Sequence, residues 1–146
     1  MKAVIQRVGS ASVSVAGEVC AKIDRGMLVL VAVEPGDSDT HVQKLADKLL
    51  ALRMFSDDNG KMNLNVQQAG GACLLVSQFT LAANVMRGNR PGFSGAADPA
   101  QARALYEQLV TVLRDAAVVP VESGIFAADM QVSLVNDGPV TFIVEL

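Results

Sequence analysis

One histidine, two cysteines and no apolar run longer than Met27–Val33 leave this chain of 146 residues little conventional catalytic material. A zinc site needs spaced His, Cys or carboxylate ligands. A lone His41 with unspaced Cys20 and Cys73 offers none, so neither a metal nor a cofactor is expected. His41 falls in the first turn of a helical pattern with no recognisable acid partner, which suits a surface histidine better than a catalytic base. Both cysteines lie in strand-like segments and are expected to be buried thiols of a reducing compartment. The Met27–Val33 run is far shorter than the roughly 20 apolar residues that span a bilayer. Gln6 and Arg7 interrupt the opening stretch before it forms a signal-peptide core, so the expected location is cytoplasmic, away from membranes. Positive charge is also scarce. A net charge of −3 and a pI near 5.0 give no global nucleic-acid footprint, so an RNA partner needs a local basic patch.

What is present reads as one globular domain over residues 1–146, with 51% hydrophobic and 18% charged residues. Met1–Val8, Ala11–Val15 and Val19–Ile23 read as strands, the last two joined by a turn at Ala16-Gly17-Glu18, and Met27–Val33 as a strand buried on both faces. The opening third is therefore expected to be a strand meander. Val42, Leu45, Ala46, Leu49 and Leu52 recur at helical spacing. Asp98-Pro99 starts a second helix with its stripe at Ala102, Leu105, Tyr106, Leu109 and Leu113. Ala72–Val76 is a second continuous apolar run, ending in Ser77-Gln78-Phe79-Thr80. Those four residues suit a site held at the end of a rigid strand, or a strand end whose hydroxyls satisfy the backbone. Leu81–Ala97 holds four glycine or proline breaks between Gly88 and Gly95 and forms no regular element. It is either a mobile surface loop or the place where Arg87 and Arg90 meet phosphate. Val118–Val121 looks like an edge strand. Met130–Val135 and Val140–Glu145 read as two strands of a hairpin turning at Asn136-Asp137-Gly138-Pro139.

Ser77-Gln78-Phe79-Thr80-Leu81 and Asn136-Asp137-Gly138-Pro139-Val140-Thr141 together resemble the paired motifs of the D-aminoacyl-tRNA deacylases. Ala3–Val8, Gly60–Asn63, Gly88–Phe93 and Ala128–Leu134 extend the resemblance over nearly the full length. The family commonly has Gly-Arg-Arg-Pro-Ser-Phe where this chain has Gly88-Asn89-Arg90-Pro91-Gly92-Phe93, and Gly-Ala-Asp-Met where it has Ala127–Met130. The resemblance implies a compact, barrel-like α+β domain with two main helices, forming a homodimer whose active site is built across the two subunits. It implies hydrolysis of the ester joining a D-amino acid to the 3′ end of tRNA, and of mischarged glycyl-tRNA, as chirality proofreading in translation. Ser77, Gln78, Phe79 and Thr80 would line the catalytic pocket, with Phe126, Met130 and Ala102 beside it. A cis Gly138-Pro139 pair would enter the partner's pocket and reject L-amino acids, and Arg87 and Arg90 would bind tRNA.

The residues leave two mechanisms open. Thr80 is a weak nucleophile without a base; a positioned water, backbone N–H donors near Phe79 and Thr80, and the 2′-hydroxyl of tRNA form the alternative. A non-catalytic RNA- or ligand-binding dimer and a generic esterase are the competing function classes.

Overall fold

A computed structural model describes residues 1–146. Its first strand, β1 (Lys2–Val15), runs unbroken through both segments that the sequence pattern separates. β2 (Glu18–Ile23) pairs antiparallel with the second half of β1, from Ala11↔Ile23 to Val15↔Glu18. β3 (Gly26–Ala32) pairs antiparallel with the first half, from Lys2↔Ala32 to Val8↔Gly26. The expected meander is thus corrected: β3 lies beside β1 rather than β2. Long-range pairing decides this, because β1 is long enough to serve both partners.

α1 (Asp39–Ala51) buries Val42, Leu45, Ala46 and Leu49 of the expected stripe, while Leu52 stands at its C-cap and is only partly buried. A small hairpin of β4 (Phe55–Ser56) and β5 (Met62–Leu64) follows. β6 (Ala72–Ser77) then lies parallel to β3. At the start of that pairing a Cβ on Gly26 would run into the Ala72 backbone, with Ala72 N at 2.7 Å, so only glycine allows the approach. A single 3-10 turn (Phe79–Ala82) leads into a loop, then α2 (Pro99–Asp115) and the short edge strand β7 (Val121–Ser123). Asp98 caps α2, accepting from Ala100 N at 3.0 Å and Gln101 N at 3.2 Å. β7 starts three residues later than the pattern suggests because Pro120 lacks an N–H; its carbonyl instead accepts from Cys73 N at 2.9 Å.

The last strand, β8 (Met130–Glu145), overturns the hairpin reading. Both halves run in one direction, antiparallel to β1, from Met130↔Val15 to Glu145↔Lys2. Asn136 pairs with Val8 and Thr141 with Gln6, so Asp137, Gly138, Pro139 and Val140 all stand opposite Arg7. The turn-like residues form a wide bulge, not a chain reversal. The Gly138–Pro139 peptide is cis.

The sheet order β2-β1-β3-β6-β7, with β8 on the free side of β1, curls until β2 packs near β6 and β7, leaving a nearly closed barrel. Alternate residues of β3 and β6 serve two cores. Met27, Val29, Val31, Cys73 and Leu75 meet the helices, while Leu28, Leu74 and Val76 face Val8, Ala11, Val13, Ala21 and Ile23 inside the barrel. That double burial explains their continuous apolar runs. Cys73 is buried as expected, but Cys20 is exposed, with its Sγ 3.4 Å from Val13 O. It sits on the outer side of β2, whose inner side carries Ala21 and Ile23.

Candidate active site

The parallel strands β3 and β6 end at a cavity of about 490 Å³ roofed by the first turns of α2. Ser77 and Gln78 enter it from the end of β6, Phe79 from the 3-10 turn, Ala102 from α2, Phe126 from the segment before β8, and Met130 from the start of β8. Ser77–Phe79, Ala102, Phe126 and Met130, from distant parts of the sequence, are brought to one place. Of the expected strand-end set only Ser77 lies on the strand. Gln78 opens the 3-10 turn, with φ −142° and ψ 73°, and Phe79 and Thr80 lie within it.

Thr80 is exposed and outside the cavity lining; its hydroxyl accepts from Gln78 Nε2 at 2.6 Å. No titratable base touches it. His41 Nδ1 accepts from Ser38 N at 3.2 Å and so caps α1. The Asp37 carboxylate does lie 4.0 Å from that ring, a partner the sequence did not reveal, but it binds the Met1 ammonium at 2.6 Å. Burial pushes the Cys73 thiol up to about 12, so it stays protonated at neutral pH. No group of three or more His, Cys, Asp or Glu side chains is placed to hold a metal ion. Around the cavity stand hydrogen-bonding groups, the Ser77 hydroxyl, the Gln78 amide and the first N–H groups of a 3-10 turn, which have no acceptor within the turn, together with one carboxylate, Asp129.

Tyr106 also lines the cavity, and the sequence pattern assigned it only to the helix stripe. Its hydroxyl donates to Leu75 O at 2.9 Å, and the same carbonyl accepts from Gly124 N at 2.8 Å. One carbonyl of β6 thereby ties α2 and the Phe126 segment together behind Ser77. Burial raises the Tyr106 pKa, with Arg114 opposing and Glu107 adding to the shift. The available signal was chemical: Tyr106 is the one stripe residue with a polar tip, and such a tip needs a buried partner. Arg103, also unassigned from sequence, lies with Cζ 4.9 Å from the Phe126 ring centre, and Tyr106 packs on the same ring at 6.0 Å.

Gly138 and Pro139 do not line this cavity. Met130 and Asn136 are separated by about 20 Å of strand at roughly 3.3 Å per residue, so the bulge stands well along β8 from the pocket. It is exposed and firmly held. Asn136 Nδ2 bridges Arg7 O at 3.0 Å and Val140 O at 3.1 Å, while Arg7 Nε meets Asp137 O at 2.8 Å and Nη1 meets Met54 O at 2.9 Å. A Cβ on Gly138 would strike the Asn136 side chain and approach Val140 N to 2.7 Å. Arg87 and Arg90 are exposed on the loop after the 3-10 turn.

A protein-family model described as D-Tyr-tRNA(Tyr) deacylase matches residues 4–145. The chain belongs to that family. The D-aminoacyl-tRNA deacylase of Shewanella sediminis is 60% identical over 142 residues, covering 97% of each chain. That of Saccharophagus degradans is 55% identical over 146 residues, covering both chains completely. Among solved structures, the c-Myc DNA Unwinding Element Binding Protein superposes with a TM-score of 0.94 at 40% identity, covering 100% of this chain and 99% of its own. The deacylase family thus accounts for the whole domain, barrel and helices included. No helix is long and apolar enough to cross a membrane.

Proposed function

We propose that the protein hydrolyses the ester of D-aminoacyl-tRNA, releasing the D-amino acid and tRNA, and acts in the same way on mischarged glycyl-tRNA. One observation supports this above others: the family motif residues Ser77, Gln78 and Phe79 meet Ala102, Phe126 and Met130 around one apolar cavity with a polar mouth. The cavity has room for an amino-acid side chain, and the mouth carries donors for an ester carbonyl.

The chemistry favoured by these groups is water attack assisted by the substrate. Thr80 Oγ1 already accepts a hydrogen bond from Gln78, and Asp129, the one carboxylate lining the cavity, makes no hydrogen bond to it, so Thr80 is poorly prepared as a nucleophile. The backbone N–H groups of Phe79 and Thr80 are suited to an oxyanion, and the terminal 2′-hydroxyl of tRNA lies beside the scissile ester in the substrate itself. An aminoacyl ester is already activated, so these modest groups suffice.

Chirality is assigned to Gly138-Pro139 of a second copy. The bulge is exposed, braced by Arg7 and Asn136, and remote along β8 from its own cavity. A backbone wedge that contacts the substrate α-amino group leaves no room for an L side chain and passes D residues and glycine. The homodimer this requires has an available surface. β8 pairs only with β1, and its open length carries exposed Val135 and Ile143, at 62% and 72% exposure. Arg87 and Arg90 are assigned to tRNA phosphates, and the reaction places the protein in the cytoplasm.

Incubation with D-Tyr-tRNA, L-Tyr-tRNA and a small aryl ester tests the reading. Hydrolysis of the first alone is expected. Equal rates on both enantiomers, or turnover of the aryl ester without tRNA, would refute it.

A further inference from the structure

We propose that Phe79 and Phe93 form a stacking platform for the unpaired nucleotide that precedes the esterified adenosine, deepening the tRNA reading on which this rests. Aromatic residues are few here, five Phe and one Tyr. Phe55 and Tyr106 are buried and Phe126 and Phe142 partly so, yet Phe79 and Phe93 are 57% and 45% exposed. Their ring centres lie 5.1 Å apart with planes tilted by 48°. Two exposed rings placed in contact gain little from burial, so the pair is poorly explained by folding alone.

Its position is specific. Phe79 lines the cavity mouth, so the pair continues outward from the place where the ester must lie. Phe93 follows a short bridge in which Asn84 and Gly92 exchange hydrogen bonds of 2.8 and 2.9 Å, and its own carbonyl accepts from Ala96 N at 3.0 Å. The ring is therefore pre-positioned, not trailing on a free loop. Met86, 89% exposed, and Val85, 63% exposed, continue the apolar surface along the same loop.

Charge selects the occupant. From Leu81 to Ala97 there are two arginines and no acidic residue, in a chain whose net charge is −3. Flat rings served by a loop that carries two guanidinium groups and no carboxylate match a single strand of RNA: the bases stack and the phosphates meet Arg87 and Arg90. The terminal adenosine carries the ester into the cavity, so the base one step before it is the one that reaches the rings.

Binding of uncharged tRNA needs no turnover and tests this directly, with one tRNA intact and one trimmed of its last two nucleotides. Phe93→Ala is expected to weaken the intact tRNA by about 5- to 150-fold, the range of one lost base–aromatic stack. The trimmed tRNA should bind Phe93→Ala and the parent alike. Phe93→Tyr should retain affinity, and Phe93→Leu, which keeps apolar volume without a π face, should not. With D-Tyr-tRNA the loss should appear in KM more than in kcat. Equal weakening of both tRNAs, rescue by Leu as good as by Tyr, or a loss of self-association in place of tRNA affinity would each overturn the platform. Failure of the parent to hydrolyse D-Tyr-tRNA would refute the proposed reaction instead, and the binding comparison would still decide the platform.

Discussion

Asn136 offers a way to move the proposed wedge without touching it. Its Nδ2 donates to Arg7 O on β1 and to Val140 O across the bulge, pinching together the chain on either side of Asp137-Gly138-Pro139. Asn136→Ala removes both bonds and the volume inside the loop that Gly138 leans on. Each bond is worth about 0.5–1.5 kcal/mol, and exposure of the site places the total near the low end, about 1 kcal/mol. For a chain of this size that lowers Tm by about 2–4 °C. The fold should survive, because the ladders on both sides of the bulge are intact, from Met130↔Val15 to Asn136↔Val8 and from Thr141↔Gln6 to Glu145↔Lys2.

The effect on function should exceed the effect on stability. A displacement of about 1 Å at a positioned group is enough to change rates by up to about 100-fold, and a backbone wedge of the kind proposed would discriminate by position alone. The assay is turnover of D-Tyr-tRNA and L-Tyr-tRNA beside Tm and oligomeric state, and the D/L ratio should fall by about 10- to 100-fold. Asn136→Asp keeps the shape but replaces the donor with an acceptor facing two carbonyls, so it should behave similarly. A variant with lowered Tm and an unchanged D/L ratio would show that the bulge takes no part in selection.

Thr80→Ala should retain measurable turnover, whereas D-Tyr-tRNA ending in 2′-deoxyadenosine should be hydrolysed far more slowly; the opposite pattern would establish Thr80 as nucleophile. Replacing Arg87 or Arg90 by Ala should weaken all tRNAs alike and reduce the salt slope of binding by about one phosphate contact, and an unchanged slope would move the phosphate site elsewhere. Cys73 predicts alkaline behaviour. Its thiol ionises near its ordinary value of 9.0 when unfolded and only near about 12 when folded. Between those values the unfolded state holds fewer protons, so stability declines as pH rises, by at most about 1.4 kcal/mol per pH unit. Cys73→Val should flatten that decline in denaturation midpoints measured from pH 8.5 upward, and an unaltered slope would mean the thiol is reachable by water.

The helices were legible because each carries its own evidence: an Asp98 cap with Pro99 behind it, and stripes at helical spacing. So were the doubly buried strands. The strand ends and bulges were not, for a physical reason shared by β1 and β8. A glycine near the middle of β1, or Asp-Gly-Pro in β8, is the same local signal whether the chain reverses or only bends. Which one occurs depends on whether the flanking residues find the same partner strand, and in this fold both halves of β8 find β1. Cys20 was readable and misread, since its neighbours Ala21 and Ile23 mark the inward face of β2 by alternation. The motif residues around the cavity were located by resemblance. Spacing alone did not bring Ala102 and Ser77 to one cavity, because α2 and β6 are joined there only by tertiary packing.

Whether the wedge acts on its own cavity or on a second copy's has a decisive test in mixed dimers. The cavity lies at the ends of β3 and β6 and the bulge on β8, so they can be damaged separately. Ala102→Phe puts a ring into the cavity from a position that is only 8% exposed, and overpacking of this kind costs about 1–3 kcal/mol. Asn136→Ala loosens the bulge and spares the cavity. Each homodimer should be defective, the first in turnover and the second in D/L discrimination. Consider a dimer with one subunit of each kind, isolated by two different tags. If the wedge crosses between subunits, the sound cavity of the Asn136→Ala chain receives the sound bulge of the Ala102→Phe chain, and one selective site returns. If the wedge serves its own cavity, the sound cavity keeps a loosened bulge, and the mixed dimer hydrolyses both enantiomers as the Asn136→Ala homodimer does. Recovery of the parent D/L ratio at reduced turnover is the expected result. Persistent loss of discrimination would place the wedge within one subunit, and chirality selection would then no longer require a dimer.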